Sequence, residues 1–213
     1  QTYSLFYNNL GILAQDNGDL RAAEDYFNKS LAAMDNVSGN AFITRMRGSM
    51  RATTLGNIAT LRADSGEIDE ALKIGADVIA ARRAMGDDNG TAFSLLTRAG
   101  LLDQRGAKGD AEEARAGVLE ARNLFVASRQ MSRLVTADVF LARLENQAGH
   151  VPQSFAYARE AFKTAGVVGD NDLIANSARG LAHLEMDAAA AAKAPKSKAA
   201  HWRNFDELLS VAT

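Results

Sequence analysis

The chain has 213 residues, of which 47% are hydrophobic and 23% charged, and its formal net charge is −2. No apolar run approaches the roughly 20 residues a membrane helix needs, and no basic excess is present to gather nucleic acid. The absence of cysteine excludes disulfides, thiolate metal sites and a cysteine nucleophile, and the three histidines His150, His183 and His201 are too scattered to form a metal cluster. About 40 alanines and only two prolines predict helix almost throughout.

The chain begins at Gln1 without a leader, which reads as an excised domain or a processed product. Missing cysteines fit both a reducing cytosol and a periplasm, and the reading taken is cytoplasmic, with a periplasmic location after signal removal as the alternative.

A short turn recurs along the chain at Gly18-Asp19, Gly66-Glu67, Gly109-Asp110 and Gly149-His150, with spacings of 48, 43 and 40 residues. Each glycine follows about four turns of helical pattern and suits a left-handed position at a helix end, and three of the four are followed by an acidic residue that favours the next helix start. The predicted helix pairs are 2–17 with 19–35, 41–65 with 67–85, 90–107 with 110–128, and 132–148 with 151–166. The segment 41–65 is long for one helix, and a break near Gly48 is expected. Gly86-Asp87 and Gly169-Asp170 read as loops between pairs, and Pro152 as a first-turn proline. A fifth unit begins near Asn171 and runs to about Ala192.

Aligning the units on their glycines tests the repeat. Eight and seven residues before the glycine stand Leu10-Gly11, Ile58-Ala59, Leu101-Leu102 and Leu141-Ala142, and five residues after it stand Ala23, Ala71, Ala114 and Ser154. A small residue at that second position lets the two helices of a pair approach closely. One such hairpin cannot hide its apolar stripe alone, so successive hairpins must stack.

The pattern Tyr7, Leu10-Gly11, Ala14, Gly18, Ala23, Phe27, Ser30-Leu31 resembles a tetratricopeptide repeat, and the 40–48 residue period resembles the long-linker variants of that family. The resemblance covers about residues 3–187. Arg98 and Asp138 depart from it, standing where the family carries a large apolar or aromatic residue. It implies an all-α fold, a right-handed α-solenoid of antiparallel helix pairs with about five repeats. Residues 1–194 would form the repeat domain and 195–213 a linker and C-terminal capping helix.

The C-terminal stretch differs in composition. The alanine run Ala188–Ala194 is followed by Pro195-Lys196-Ser197-Lys198, which reads as a short basic linker, and then by Trp202, Phe205, Leu208, Leu209 and Ala212 at helical spacing.

No phosphate loop, nucleophile elbow or metal-ligand spacing occurs, so the chain is read as non-catalytic and without a cofactor. Asp87-Asp88-Asn89-Gly90 lacks the ligand alternation of a calcium loop. Stacked hairpins instead create a surface, a concave groove lined by the first helix of each pair. Repeat offsets place in it Asn8, Asn9 and Ile12 from the first unit, Asn57, Thr60 and Asp64 from the second, and Asp103 from the third. The fourth unit contributes Phe140, Arg143 and Gln147, and the fifth Asn176, Arg179 and His183. Asn9 and Asn57 share one offset, and an amide that both donates and accepts can bond a peptide main chain without regard to its sequence. The resemblance implies such an asparagine pair holding an extended or helical partner segment. The cations with which chaperone-tail-binding relatives clamp a carboxylate are not matched, since Leu96 and Gly100 stand at those places.

These residues predict a groove for a polar, modestly charged ligand with an apolar anchor near Phe140. The expected function is a protein- or peptide-binding module, the sensor or scaffold part of a larger regulatory chain, with no nucleic-acid or membrane partner. The alternative is self-docking or homodimerisation, with the groove filled by the C-terminal helix of the same or a sister chain.

Overall fold

The protein is described by a computed structural model over residues 2–35 and 39–212; the side chain of Ala212, included in the C-terminal stripe above, lies outside the described residues. Ten helices follow one another among the described residues: α1 (Thr2–Asp16), α2 (Leu20–Asp35), α3 (Ala41–Asp64), α4 (Ile68–Ala84), α5 (Asp88–Arg105), α6 (Asp110–Ala127), α7 (Met131–Gln147), α8 (Val151–Val168), α9 (Asn171–Ala191) and α10 (Pro195–Ala212). None of them is long and apolar enough to cross a membrane. The chain divides into two compact units, Gln1–Gly117 and Val118–Thr213.

The turn glycines do what the repeat requires. Gly18, Gly66, Gly109 and Gly149 all have positive φ, between 77° and 93°. At the first turn the Asp19 N–H donates to the Ala14 carbonyl and the Gly18 N–H to the Gln15 carbonyl, both at 2.9 Å. The same double closure recurs at Gly66 and Gly149, and it satisfies carbonyls that a helix end would otherwise leave bare. Asp19 then accepts from the Ala22 N–H at 3.0 Å, so the acidic residue after the glycine caps the following helix.

The small residues at the alignment position are all sealed: Ala23, Ala71, Ala114 and Ser154 are 0% exposed. Ser154 adds a hydrogen bond from its hydroxyl to the Ala142 carbonyl at 2.7 Å, which ties α8 to α7 in place of apolar bulk. In unit 1 the helices of the first pair approach closely at Gly11, where an added Cβ would fall 2.5 Å from the Phe27 ring. The missing side chain is what admits Phe27 to full burial, beside Ala23, Ile58 and Leu61. Burying such a ring stabilises the fold by about 1.5–3 kcal/mol. Unit 2 builds its core from Ala142, Ala158, Leu181 and Leu184, with Phe155, Phe162 and Leu208 packed on it.

Within unit 1 the first helices touch in the order α1, α3, α5, and within unit 2 α7 touches α9. Each unit therefore has an inner row of first helices, as the repeat reading expects. Two expectations are corrected. Helix α3 runs unbroken through Gly48, whose bare Cα accommodates the Met85 sulfur rather than a kink. Pro195–Lys198 is the first turn of α10, not a linker: proline suits a helix start, and the break falls at residues 192–194. Helix α10 packs on α9 and, through Leu208, covers the last core cluster of unit 2, the place expected of a C-terminal capping helix.

Candidate partner-binding site

The predicted groove residues divide between the two units. Asn8, Asn9, Ile12, Asn57, Thr60, Asp64 and Asp103 belong to unit 1, and Phe140, Arg143, Gln147, Asn176 and Arg179 to unit 2. Each unit carries its own cavity beside the inner row.

The asparagines of unit 1 behave differently from the expectation. Asn8 is buried, and its carboxamide oxygen accepts from the Thr54 hydroxyl at 3.1 Å and from the Asn57 amide at 3.0 Å. Thr54 also contacts the Ser30 hydroxyl at 3.3 Å, and Ser30 donates to the Ser4 carbonyl at 2.9 Å. This seam joins α1, α2 and α3, so Asn8 serves packing: a buried amide needs partners, and it finds them on neighbouring helices. Asn9 is exposed, while the Asn57 amide donates to Asn8, so the two asparagines of one offset stand in different surroundings. Ile12 is 39% exposed, and Asp64 accepts a hydrogen bond from Gln15 at 2.6 Å.

Asn57 and Thr60 nevertheless line a cavity of about 120 Å³ between α3, α4 and α5, together with Thr53, Arg82, Ser94, Thr97 and Arg98. Two cations thus face one small space. Arg82 is 7% exposed; it donates to the Thr53 hydroxyl at 3.1 Å, and its terminal nitrogen lies 3.5 Å from Asp87. Its Nε has no hydrogen-bond partner, nor does the Nε of Arg98, whose terminal nitrogen reaches Glu113 at 2.6 Å. Burial pushes the Arg82 guanidinium below its usual range, and Asp87 opposes that shift. Local sequence permits the arrangement at Gly90, which has no side chain where a Cβ would strike Arg82 and Asp87. Asp87 caps α5 by accepting from the Gly90 N–H at 2.9 Å, which is the role of the segment read above against a calcium loop.

Unit 2 holds a larger cavity, about 320 Å³, between α7, α8 and α9. Its apolar lining is Val139, Ala142, Ala158 and Leu184, and its polar lining includes Arg143, Asn146, His183 and Asp187. Asn146 donates to Asp187 at 3.3 Å, linking the inner helices. Of the predicted residues Arg143 and His183 line this space. Phe140 does not: it is half-buried under the Arg143 guanidinium, 4.7 Å from the ring centroid, so the apolar recess lies one residue away, at Val139. Gln147, Asn176 and Arg179 are exposed and outside it. Helix α10 contributes nothing to this lining. It packs on α9, where His201 and Asn204 meet the buried Glu185, so the chain's own C-terminal helix does not fill the recess. Among the described residues no cluster of three or more acidic or histidine ligands stands together.

Sequence reasoning missed Arg82, because it sits on a second helix and reaches inward. The available signal was Arg98, a cation at a packing position. Asp138, the other departure from the repeat pattern, has a different fate: it is 0% exposed and accepts from the Arg122 guanidinium.

Residues 6–39 match the family model described as tetratricopeptide repeat. A comparison with curated protein sequences found no match. Among solved structures, BtubC (BKLC) from P. vanneervenii is similar with a TM-score of 0.75 at 16% identity, covering 95% of this chain and 75% of that one. The nearly identical TPR-like repeats of a putative kinesin light chain from Podosopora anserina give 0.73 at 13% identity, covering 99% and 96%. A signal transduction ATPase with a tetratricopeptide repeat sensor, from Pyrococcus horikoshii, gives 0.65 at 14% identity over 98% of this chain and 35% of that one. The fold is that of the TPR-like helical solenoids.

Proposed function

We propose that this chain, a TPR-like repeat protein, is a non-catalytic binding module that receives a segment of another protein, as the sensor or scaffold part of a regulatory assembly. The observation that carries the reading is the recess of unit 2. A cavity of about 150 Å³ lined by aliphatic side chains holds a benzene ring; about 320 Å³ over Val139, Ala142, Ala158 and Leu184 suits one large apolar side chain. Arg143, Asn146, His183 and Asp187 supply donors and acceptors for the main chain on either side of that anchor. An apolar pocket ringed by polar groups is the form in which few residues carry most of an interface's affinity. The TPR-like fold of the similar structures supports the same reading.

The test is a selection of displayed random peptides on the full chain, counterselected on Gly180→Trp. Gly180 lines the recess with open space around its Cα, so the indole would occupy it without disturbing α9. Enriched peptides should share a large apolar residue and bind the variant at least about tenfold more weakly, a difference of about 1.4 kcal/mol. Failure to enrich any peptide, or equal binding to both proteins, would overturn the reading.

A further inference from the structure

We propose that the cavity of unit 1 is a carboxylate-binding site, in which Arg82 and Arg98 receive an aspartate or glutamate side chain of the bound segment. Its source in a partner segment rests on the reading above; the cavity's chemistry does not.

Arg82 carries a buried charge that its surroundings serve poorly. A guanidinium offers five N–H donors, yet Arg82 makes one hydrogen bond, to Thr53, with Asp87 at 3.5 Å and its Nε unpartnered. A buried cation so placed is costly unless a further acceptor arrives. The cavity beside it is where an acceptor can come. Its lining contains Arg82, Arg98, Asn57, Ser94 and Thr97 and no carboxylate.

Charge selects the ligand. The two arginines are matched by Asp87 and Glu113, both outside the lining, so the local sum is near neutral. A singly charged carboxylate adds one charge to two planar forks built to accept it. A doubly charged phosphate would bring a second charge that nothing there offsets. Size agrees: about 120 Å³ is less than a benzene-sized cavity and takes a carboxylate on a short stem. Arg82 lies on α4 and Arg98 at a packing position of α5, so this is not the arrangement of the chaperone-tail clamp, whose positions here are Leu96 and Gly100.

The experiment is an NMR titration of the full chain at constant ionic strength, reading the arginine Nε–H signals. The probes are N-acetyl-L-glutamate N-methylamide, its glutamine counterpart and inorganic phosphate. The glutamate compound should shift the Arg82 and Arg98 signals saturably, with the glutamine compound and phosphate at least about fivefold weaker and the response of Arg98→Gln weakened by about tenfold. Arg82→Gln, folded by circular dichroism, should lose the response likewise; should it not fold, Arg98→Gln decides. No saturable shift, an equal response to glutamine, tighter binding of phosphate, or wild-type binding by Arg98→Gln would each overturn the proposal. A failed peptide selection beside a positive titration would sink the partner reading and spare this site, and the reverse pair of results would do the opposite.

Discussion

Both units place an arginine among buried atoms, and they treat it in opposite ways. In unit 2 Arg122 is spent on Asp138, a carboxylate with no exposed surface. In unit 1 Arg82 faces a cavity, and the acid nearest to it, Asp87, keeps 27% of its side chain exposed. The difference separates a cation the fold needs from a cation the fold merely tolerates. Removing one member of a buried pair strands the other, whereas removing a charge whose partner still reaches water strands nothing. Arg122→Met should therefore destabilise the protein by about 3 kcal/mol at pH 7, and Arg82→Met by no more than about 1 kcal/mol. Urea denaturation at matched pH measures both. An equal loss in the two variants would make Arg82 structural and break the contrast.

The pH dependence sharpens it. Burial raises the Asp138 carboxyl above its ordinary 3.8, and the Arg122 hydrogen bond partly offsets that. A carboxyl raised in the folded state binds protons more readily there than in the unfolded chain, so stability falls as pH rises through the interval above 3.8. Without Arg122 that interval extends upward. The penalty of Arg122→Met should accordingly shrink as pH is lowered from 7 towards 4.5, while that of Arg82→Met stays nearly flat.

A second contrast concerns bare positions on the inner helices. Gly11 in unit 1 is pressed against the Phe27 ring, and Gly180 in unit 2 has nothing within 4 Å. Gly11→Ala should cost about 1–3 kcal/mol, since a buried ring cannot step aside. Gly180→Ala should gain up to about 1 kcal/mol from helix propensity alone. Thermal melts of the two variants should move in opposite directions; a shared rise would show that propensity governs both sites, and a shared fall that packing does.

The parts of the fold that the sequence makes legible are those fixed by short-range rules. The turn glycines, the sealed Ala23, Ala71, Ala114 and Ser154, and the pairing of helices all follow from offsets within one hairpin. The candidate site follows less well, because its residues come from three helices at once. Asn8 and Asn9 are neighbours in sequence and look alike as groove donors. Only the arrival of Ser30 from α2 and Thr54 from α3 makes one of them a buried joint. Arg82 was invisible for a related reason: its long stem carries a charge from a second helix to the inner row, and no repeat offset records that reach. Pro195–Lys198 shows the limit of compositional reading, since a proline that ends one helix also begins another.

The smallest effect concerns the turns between pairs. Gly86, Arg129 and Gly169 stand 20 residues after the turn glycines Gly66, Gly109 and Gly149. All three adopt positive φ, 63°, 56° and 74°. The closure is the same at each of the first two: the Asp87 N–H donates to the Arg82 carbonyl at 3.0 Å, and the Gln130 N–H to the Phe125 carbonyl at 2.9 Å. Arg129 thus accepts a left-handed backbone that disfavours a Cβ by about 1–2 kcal/mol, where unit 1 uses glycine. Arg129→Gly relieves that strain but adds freedom to the unfolded chain, which takes back about 0.5–1 kcal/mol. The net expectation is a gain of about 0.5–1 kcal/mol, with Gly86→Arg losing at least as much by the converse argument. Urea unfolding of the two variants reads both signs, and a stabilising Gly86→Arg would show that the turn is set by contacts of the arginine side chain instead of by its backbone.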